Sequence, residues 1–127
     1  MNNQINPFEE KRRHKRVAID AEAECEIFAT ESQAVMLNRQ MNKLHVKVEN
    51  ISMGGLQIIT DMQMPVEQIL RMKVDFIAPK CAIWVYSQVR WSCFDAKISK
   101  YRVGLQFFYL REKYSETCAK IIESHPN

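Results

Sequence analysis

The stretch VAIDAEAECEI, residues 17–27, decides the fold class because its apolar residues recur at every second position. A period of two is typical of a β-strand with one buried face, and here acidic residues occupy most of the outer face. A second alternation follows over residues 43–49, where the outer positions are mostly basic. If the two strands pair antiparallel, the glutamates of the first lie near Lys43, His45 or Lys47 of the second, which stabilises one register.

Further segments along the chain repeat this period and are separated by glycine- or proline-marked turns. Five to seven such strands predict an antiparallel barrel or a sandwich. In the longest segment, Val85, Val89, Trp91 and Cys93 are predicted to share one face of the strand. The clear segments cover residues 56–60, 70–76, 83–94 and 101–107.

The period changes near the C-terminus. Apolar residues there recur at helical spacing, with charged residues between them, which predicts an amphipathic helix that packs on the sheet or covers one end of it. The residues of this apolar stripe are Leu110, Tyr114, Cys118, Ile121 and Ile122. The segment 30–42 is mostly polar, and either an extension of a neighbouring strand or a long loop fits it.

The positive charge of the chain lies in one place. The net charge is +3; residues 9–16 hold five basic and two acidic residues, and the other 13 basic and 13 acidic residues cancel. A surface that binds a nucleic acid duplex spreads lysine and arginine widely, in order to neutralise several phosphates. One short basic stretch suits a small ligand with few negative charges and disfavours a nucleic acid partner.

The remaining reactive residues suggest neither a metal site nor an enzyme. Cys25, Cys81, Cys93 and Cys118 form no CxxC pair, and no histidine lies at metal-ligand spacing. Each cysteine falls in an apolar pattern, which predicts buried, reduced thiols. No carboxylate pair or nucleophile–base pair has the spacing of a catalytic site. Without an apolar run of roughly 18 residues or a hydrophobic signal segment, we expect a cytoplasmic protein that does not span a membrane.

Two polar motifs stand at the ends of the predicted hairpin. RRHKR, residues 12–16, precedes the first strand, and NISMGG, residues 50–55, follows the second. An antiparallel pair brings the start of one strand beside the end of the next, so the motifs are predicted to be neighbours. Arginine can hold phosphates and the acceptor edge of guanine, and a small polar turn brings the backbone close to a flat base.

This pair of motifs resembles the signature of PilZ domains, RxxxR followed by (D/N)xSxxG. PilZ domains are bacterial receptors for the second messenger cyclic di-GMP. YRVGLQF, residues 101–107, is similar to the closing strand of the family. The resemblance covers about residues 10–110. It implies a mainly β fold, a six- to seven-stranded antiparallel β-barrel with a C-terminal α-helix, and cyclic di-GMP as a ligand, with no cofactor.

The resemblance also implies which residues bind this ligand. The two arginines of the first motif match RxxxR and are expected at the phosphates and guanines. The asparagine and serine of the second motif are expected at a guanine, and its last glycine stands where a side chain would obstruct the base or prevent the turn. These five residues are Arg12, Arg16, Asn50, Ser52 and Gly55.

Four other residues are weaker candidates for the same site. They are Lys11, Arg13, Gly54 and Trp91. Lys11 and Arg13 add charge beside the arginines of the first motif, and Gly54 lies in the glycine turn. Trp91 stands where many PilZ domains carry an aromatic residue near the ligand, although the alternation of its strand indicates a core residue.

We expect residues 1–9 to form a flexible segment and residues 10–127 to form one PilZ-like domain, with the barrel over about 16–109 and the helix over about 111–124. The predicted function is a cyclic di-GMP receptor whose N-terminal segment changes conformation and signals to a protein partner. The alternatives are a protein-interaction adaptor on the same fold without nucleotide binding, and a small nucleic-acid-binding barrel.

Overall fold

The computed structural model describes residues 15–28 and 43–125, and in this part of the chain six strands and one helix form a closed antiparallel barrel with a C-terminal helix. The strand order around the barrel is β1-β2-β3-β6-β5-β4. The predicted fold class is confirmed. The elements are β1 (Val17–Phe28), β2 (Lys43–Ile51), β3 (Gly55–Thr60), β4 (Ile69–Phe76), β5 (Cys81–Asp95), β6 (Lys100–Leu110) and α1 (Glu112–Ser124). The segment 30–42 lies outside the described residues.

The first two strands form the predicted hairpin. Glu22 pairs with Lys47 and Glu24 with His45, so the register that the opposite charges favour is the one observed. Nε2 of His45 lies 3.3 Å from Oε2 of Glu22. Both side chains are exposed, so this pair contributes at most about 1 kcal/mol and serves register more than stability.

The inward residues of all six strands fill the barrel. Their alternation with outward polar residues is the pattern that the sequence shows, because successive side chains of a strand point to opposite faces. Each fully buried aliphatic side chain stabilises the fold by roughly 1.5–3 kcal/mol. The largest of those on the strands are Ile51, Leu56, Ile58, Leu70, Met72 and Ile83.

The helix α1 packs against this core and contacts β5. Cys118, Ile121 and Ile122 are its buried residues, which confirms the apolar stripe. Leu110, predicted as the start of that stripe, is the last residue of β6 and packs with Tyr114 against the same core.

A bulge in β5 makes one face assignment wrong. Val89 pairs with Leu105 of β6, but the next pair joins Trp91 to Gly104, so Arg90 is an extra residue on β5. A bulge shifts the alternation by one position, and the residues beyond it change face. Val89 is buried in the core, whereas Trp91 is 36% exposed on the outside of the barrel.

The same bulge explains the exposure of one cysteine. The four cysteines are free thiols. Cys25 and Cys118 are buried as predicted, and burial raises the pKa of these thiols to about 12 and about 11. Cys81 is half-buried, and desolvation raises its pKa as well. Cys93 is exposed, so the prediction of a buried thiol is wrong there.

Two negative findings apply to the described residues alone. Within residues 15–28 and 43–125, no helix has the length and apolar character to cross a bilayer. The same residues contain no group of three or more histidine, cysteine, aspartate or glutamate side chains able to hold a metal ion.

Candidate functional site

The start of β1 and the end of β2 meet, as the hairpin geometry predicts. Ala18 pairs with Asn50, and Arg16 lies just before β1. Nη1 of Arg16 donates a hydrogen bond of 2.9 Å to Oδ1 of Asn50. The last arginine of the first motif and the first residue of the second are therefore in direct contact. Lys11, Arg12 and Arg13 lie outside the described residues.

Arg16 supplies the positive charge of this contact. Its side chain is exposed as a whole, yet partial burial lowers the pKa of its guanidinium from the ordinary value. Because that ordinary value is so high, the group stays charged at neutral pH. A partly desolvated cation has more to gain from an anionic partner than one in bulk water, since the effective dielectric constant is lower.

The second motif forms the turn between β2 and β3. The backbone N–H of Ser52 donates to the carbonyl of Gly55 at 2.9 Å, and Oγ of Ser52 accepts from the N–H of Gly54 at 3.2 Å. The N–H of Phe107 in β6 donates to the carbonyl of Gly54 at 2.8 Å, which fixes the turn to the barrel. Ser52 is only 3% exposed, so its hydroxyl shapes the turn from within.

The structure gives a reason for glycine at position 55 that the sequence did not suggest. A Cβ atom at Gly55 would collide with the carbonyl oxygen of Leu105. None of the glycines has a positive φ, so the turn itself does not require glycine there. Gly55 is needed because β3 and β6 approach each other closely at the point where β3 begins.

The strand registers place four residues in one line across the outside of the barrel. Asn50 of β2 pairs with Gln57 of β3, Gln57 with Gly104 of β6, and Gly104 with Trp91 of β5. We call these four residues the outer row. Adjacent strands lie roughly 4.8 Å apart, so the backbone of the outer row spans about 14 Å. Arg16 extends it at the Asn50 end.

Trp91 packs on the glycine beside it. A Cβ atom at Gly104 would collide with Nε1 and Cε2 of the Trp91 ring. The ring therefore lies over β6 at Gly104, and a residue with a side chain there would hold it away. An exposed indole that rests on backbone is suited to stack on a flat ligand, because the strand supports one of its faces.

Sequence reasoning missed a polar network next to the outer row. Nε2 of Gln57 donates to Oε1 of Glu49 at 2.9 Å, and Nε of Arg102 donates to the same oxygen at 3.0 Å. Nη1 of Arg102 also pairs with Oδ2 of Asp95. In the sequence these residues look like ordinary outer residues of four strands. The one signal was Gly104, since a glycine inside a strand often marks a close approach.

The family of the chain follows from comparison with known proteins. The PilZ domain family matches residues 10–124. The protein therefore belongs to the PilZ domain family. No curated protein sequence matches it.

Solved structures show the same fold at low identity. The chain is similar to the Bacillus subtilis inhibitor of motility MotI/DgrA, with a TM-score of 0.69 and 14% identity over 89% of this chain and 50% of that one. It is similar to the PilZ domain with c-di-GMP of YcgR from Escherichia coli, with a TM-score of 0.62 and 13% identity over 91% of each chain. The K. pneumonia MrkH–c-di-GMP complex gives 0.64 and 14%, over 89% and 50%. The chain spans about half the length of MotI and MrkH.

Proposed function

We propose that this protein is a cyclic di-GMP receptor without catalytic activity, and that the ligand binds over the outer row beside Arg16. The observation that carries the proposal is the hydrogen bond from Arg16 to Asn50, which joins the two halves of the family signature. The two solved relatives whose structures contain c-di-GMP support the choice of ligand. Their identity to this chain is 13–14%, so the ligand is inferred from the site and the family together.

The proposed contacts follow from the chemistry of each group. Cyclic di-GMP carries two phosphates and two guanines. Arg16 and Arg12 donate paired hydrogen bonds to phosphate oxygens and to O6 and N7 of guanine. Without the ligand, Oδ1 of Asn50 accepts from Arg16. Once Arg16 turns to the ligand, the Asn50 amide donates to or accepts from the edge of a base.

The remaining candidates take supporting roles in this proposal. Ser52 and Gly55 hold the turn in place and keep it small, and Gly54 keeps the turn free of a side chain beside the base. Trp91 stacks on a guanine. Stacking of one base on an aromatic side chain stabilises a complex by roughly 1–3 kcal/mol. Lys11 and Arg13 add positive charge around the phosphates.

The signalling step is proposed to pass through the N-terminal segment. Ligand binding competes with the Arg16–Asn50 hydrogen bond, because both groups face the ligand in this proposal. Arg16 then turns toward a phosphate or a base, and the residues before it follow. The new arrangement of residues 1–16 is what a protein effector would recognise.

Isothermal titration calorimetry with cyclic di-GMP tests the ligand. We expect a dissociation constant near micromolar, which corresponds to about 8 kcal/mol. Arg16→Ala and Arg12→Ala should each weaken binding at least about tenfold, because a charge-assisted hydrogen bond contributes roughly 1.5–3 kcal/mol. Arg111→Ala is the matched control, since Arg111 is exposed and lies between β6 and α1.

Three outcomes would contradict the proposal. The absence of heat at tens of micromolar ligand favours the adaptor that does not bind nucleotides. An equal loss in the Arg111→Ala control means that the arginines act only through general charge. Salt-dependent binding of random single strands that exceeds the binding of cyclic di-GMP favours a nucleic-acid-binding barrel.

A further inference from the structure

Gln57 lies in the outer row between Asn50 and Gly104, and its side-chain amide is held by Glu49. It points outward from β3, between the buried residues Leu56 and Ile58, and is half-buried itself. Its neighbours in the row are Asn50 on one side and Gly104 on the other. Because Gly104 has no side chain, the neighbour of Gln57 on that side is the Trp91 ring, which packs on Gly104.

The direction of the Gln57 amide is determined by chemistry. Its partner Glu49 is a carboxylate, which only accepts hydrogen bonds. Nitrogen Nε2 must therefore face Glu49, at the observed 2.9 Å, and oxygen Oε1 must be turned away from it. A flipped amide would set Oε1 against the carboxylate oxygen and lose the hydrogen bond. Glu49 uses one N–H of Nε2, and on the side away from Glu49 Gln57 presents the acceptor Oε1 to a ligand on the outer row.

Glu49 is itself held in place from the other side. Arg102 donates to both of its oxygens, through Nε at 3.0 Å and Nη2 at 3.4 Å, and also pairs with Asp95. The Glu49 side chain is 22% exposed and that of Arg102 33%, so the network is partly shielded from water. Arg102 therefore fixes the position of the Glu49 carboxylate, which is the condition for the orientation of Gln57.

We propose that Gln57 makes this site selective for guanine over adenine, with Glu49 and Arg102 as positioning residues. The proposal rests on the proposed function, since it concerns the base that a cyclic dinucleotide brings to the outer row. The Watson–Crick edge of guanine carries two donors, N1–H and the N2 amino group, which match the fixed acceptor Oε1. Adenine has the acceptor N1 in place of N1–H, lacks the N2 amino group, and carries its donor N6 amino group where guanine has O6. In the pose of guanine, adenine therefore sets its acceptor N1 against Oε1, and the amide held by Glu49 does not turn to relieve the two acceptors.

The test measures the affinity of the intact protein for cyclic di-GMP and cyclic di-AMP, by calorimetry or by competition against labelled cyclic di-GMP. Gln57→Leu removes the acceptor while keeping the side chain similar in size. We expect it to weaken cyclic di-GMP binding about tenfold or more and to leave cyclic di-AMP binding unchanged or stronger. Gln63→Leu, the same change at an exposed position after β3, should alter neither affinity.

A second variant separates positioning from direct contact. Glu49→Gln gives Gln57 a partner that can donate as well as accept, so the Gln57 amide is free to turn. Discrimination between the two dinucleotides should fall in Glu49→Gln, and the double variant with Gln57→Leu should show no further fall. If Glu49 acted on the ligand by itself, the two changes would add.

The outcomes distinguish this proposal from the proposed function. Failure of the wild-type protein to bind cyclic di-GMP overturns both. Wild-type binding that Gln57→Leu leaves unchanged, or an equal loss for both dinucleotides, overturns the selectivity of Gln57 and leaves the receptor proposal intact. Thermal unfolding of each variant establishes that the affinities compare folded proteins.

Discussion

The two tryptophans of β5 lie on the outside of the same strand, yet they have opposite surroundings. Trp84 is 43% exposed and Trp91 is 36% exposed. The guanidinium carbon of Arg71 lies 5.1 Å from the centre of the Trp84 ring. Trp91 packs on Gly104, which offers no side chain of its own. The two tryptophans therefore have similar exposure. They differ in what the neighbouring strand places beside the ring, which is an arginine side chain for Trp84 and a glycine for Trp91.

The comparison indicates that an aromatic ring can stack on a ligand when no other side chain of the protein already interacts with its face. The Trp84 ring already interacts with a cation of the protein, within a groove that carries charges of both signs: Glu24, Glu26, Lys43, Arg71 and Lys73. A base that stacked there would have to displace Arg71, at a cost of roughly 0.5–1 kcal/mol for an exposed cation–π contact. The Trp91 ring has backbone beneath it and lies in register with the second motif. Of the two, Trp91 is therefore the one that the proposed ligand site uses.

The largest expected effect concerns the bulge that separates the two tryptophans. Because the bulge turns Cys93 outward, a thiol-alkylating reagent should modify Cys93 far faster than Cys25 or Cys118. Burial blocks access to those two, and their pKa values of about 12 and about 11 leave little thiolate at pH 8. We expect alkylation rates that differ by at least about a hundredfold. Mass spectrometry of the modified peptides measures the rate at each cysteine. Equal rates for Cys93 and Cys25 would show that the bulge is absent in solution.

A second prediction concerns ligand affinity. Trp91→Ala should weaken cyclic di-GMP binding by about tenfold to a hundredfold, because stacking on one base is worth roughly 1–3 kcal/mol. Trp84→Ala is the matched control on the same strand and should stay within about twofold of the wild type. Calorimetric titration of both variants measures this. Similar losses in the two would mean that Trp91 has no special role in binding.

The smallest effect is on stability. Gly104→Ala places a methyl group against the Trp91 ring and should lower the free energy of unfolding by about 1–3 kcal/mol, as overpacking does. The cost should disappear when Trp91→Ala is added, and it should persist when Trp84→Ala is added instead. Denaturant unfolding of the single and double variants gives the coupling energy. If Gly104→Ala lowers the free energy of unfolding by the same amount in both tryptophan variants, the Trp91 ring does not pack on Gly104.

The sequence was sufficient for the parts of the fold that depend on alternation. The strands, the β1–β2 hairpin with its charge pairing and the apolar stripe of α1 all follow from periodicity, because burial selects one face of each element. The contact between Arg16 and Asn50 also follows, since an antiparallel hairpin has to bring them together.

The parts that the sequence did not reveal depend on pairing between distant strands. Trp91 and Cys93 are apolar enough to fit an inward pattern, and only the pairing of Trp91 with Gly104 shows that the pattern has shifted. The role of Gln57 likewise depends on Glu49, which lies at a second irregularity between Val48 and Asn50. Neither irregularity changes the local composition, so neither has a signature in one sequence.

The bulge at Arg90 has a consequence for how this surface can change in evolution. The extra residue in β5, rather than residue type, decides that the Trp91 indole faces the solvent and not the barrel interior. If the same sequence paired with β6 without the bulge, Arg90 would stand opposite Gly104, and Trp91 would turn inward and Ser92 outward without replacement of either. A shift of pairing in this strand therefore exchanges one set of surface side chains for another in a single step, which point substitutions do not.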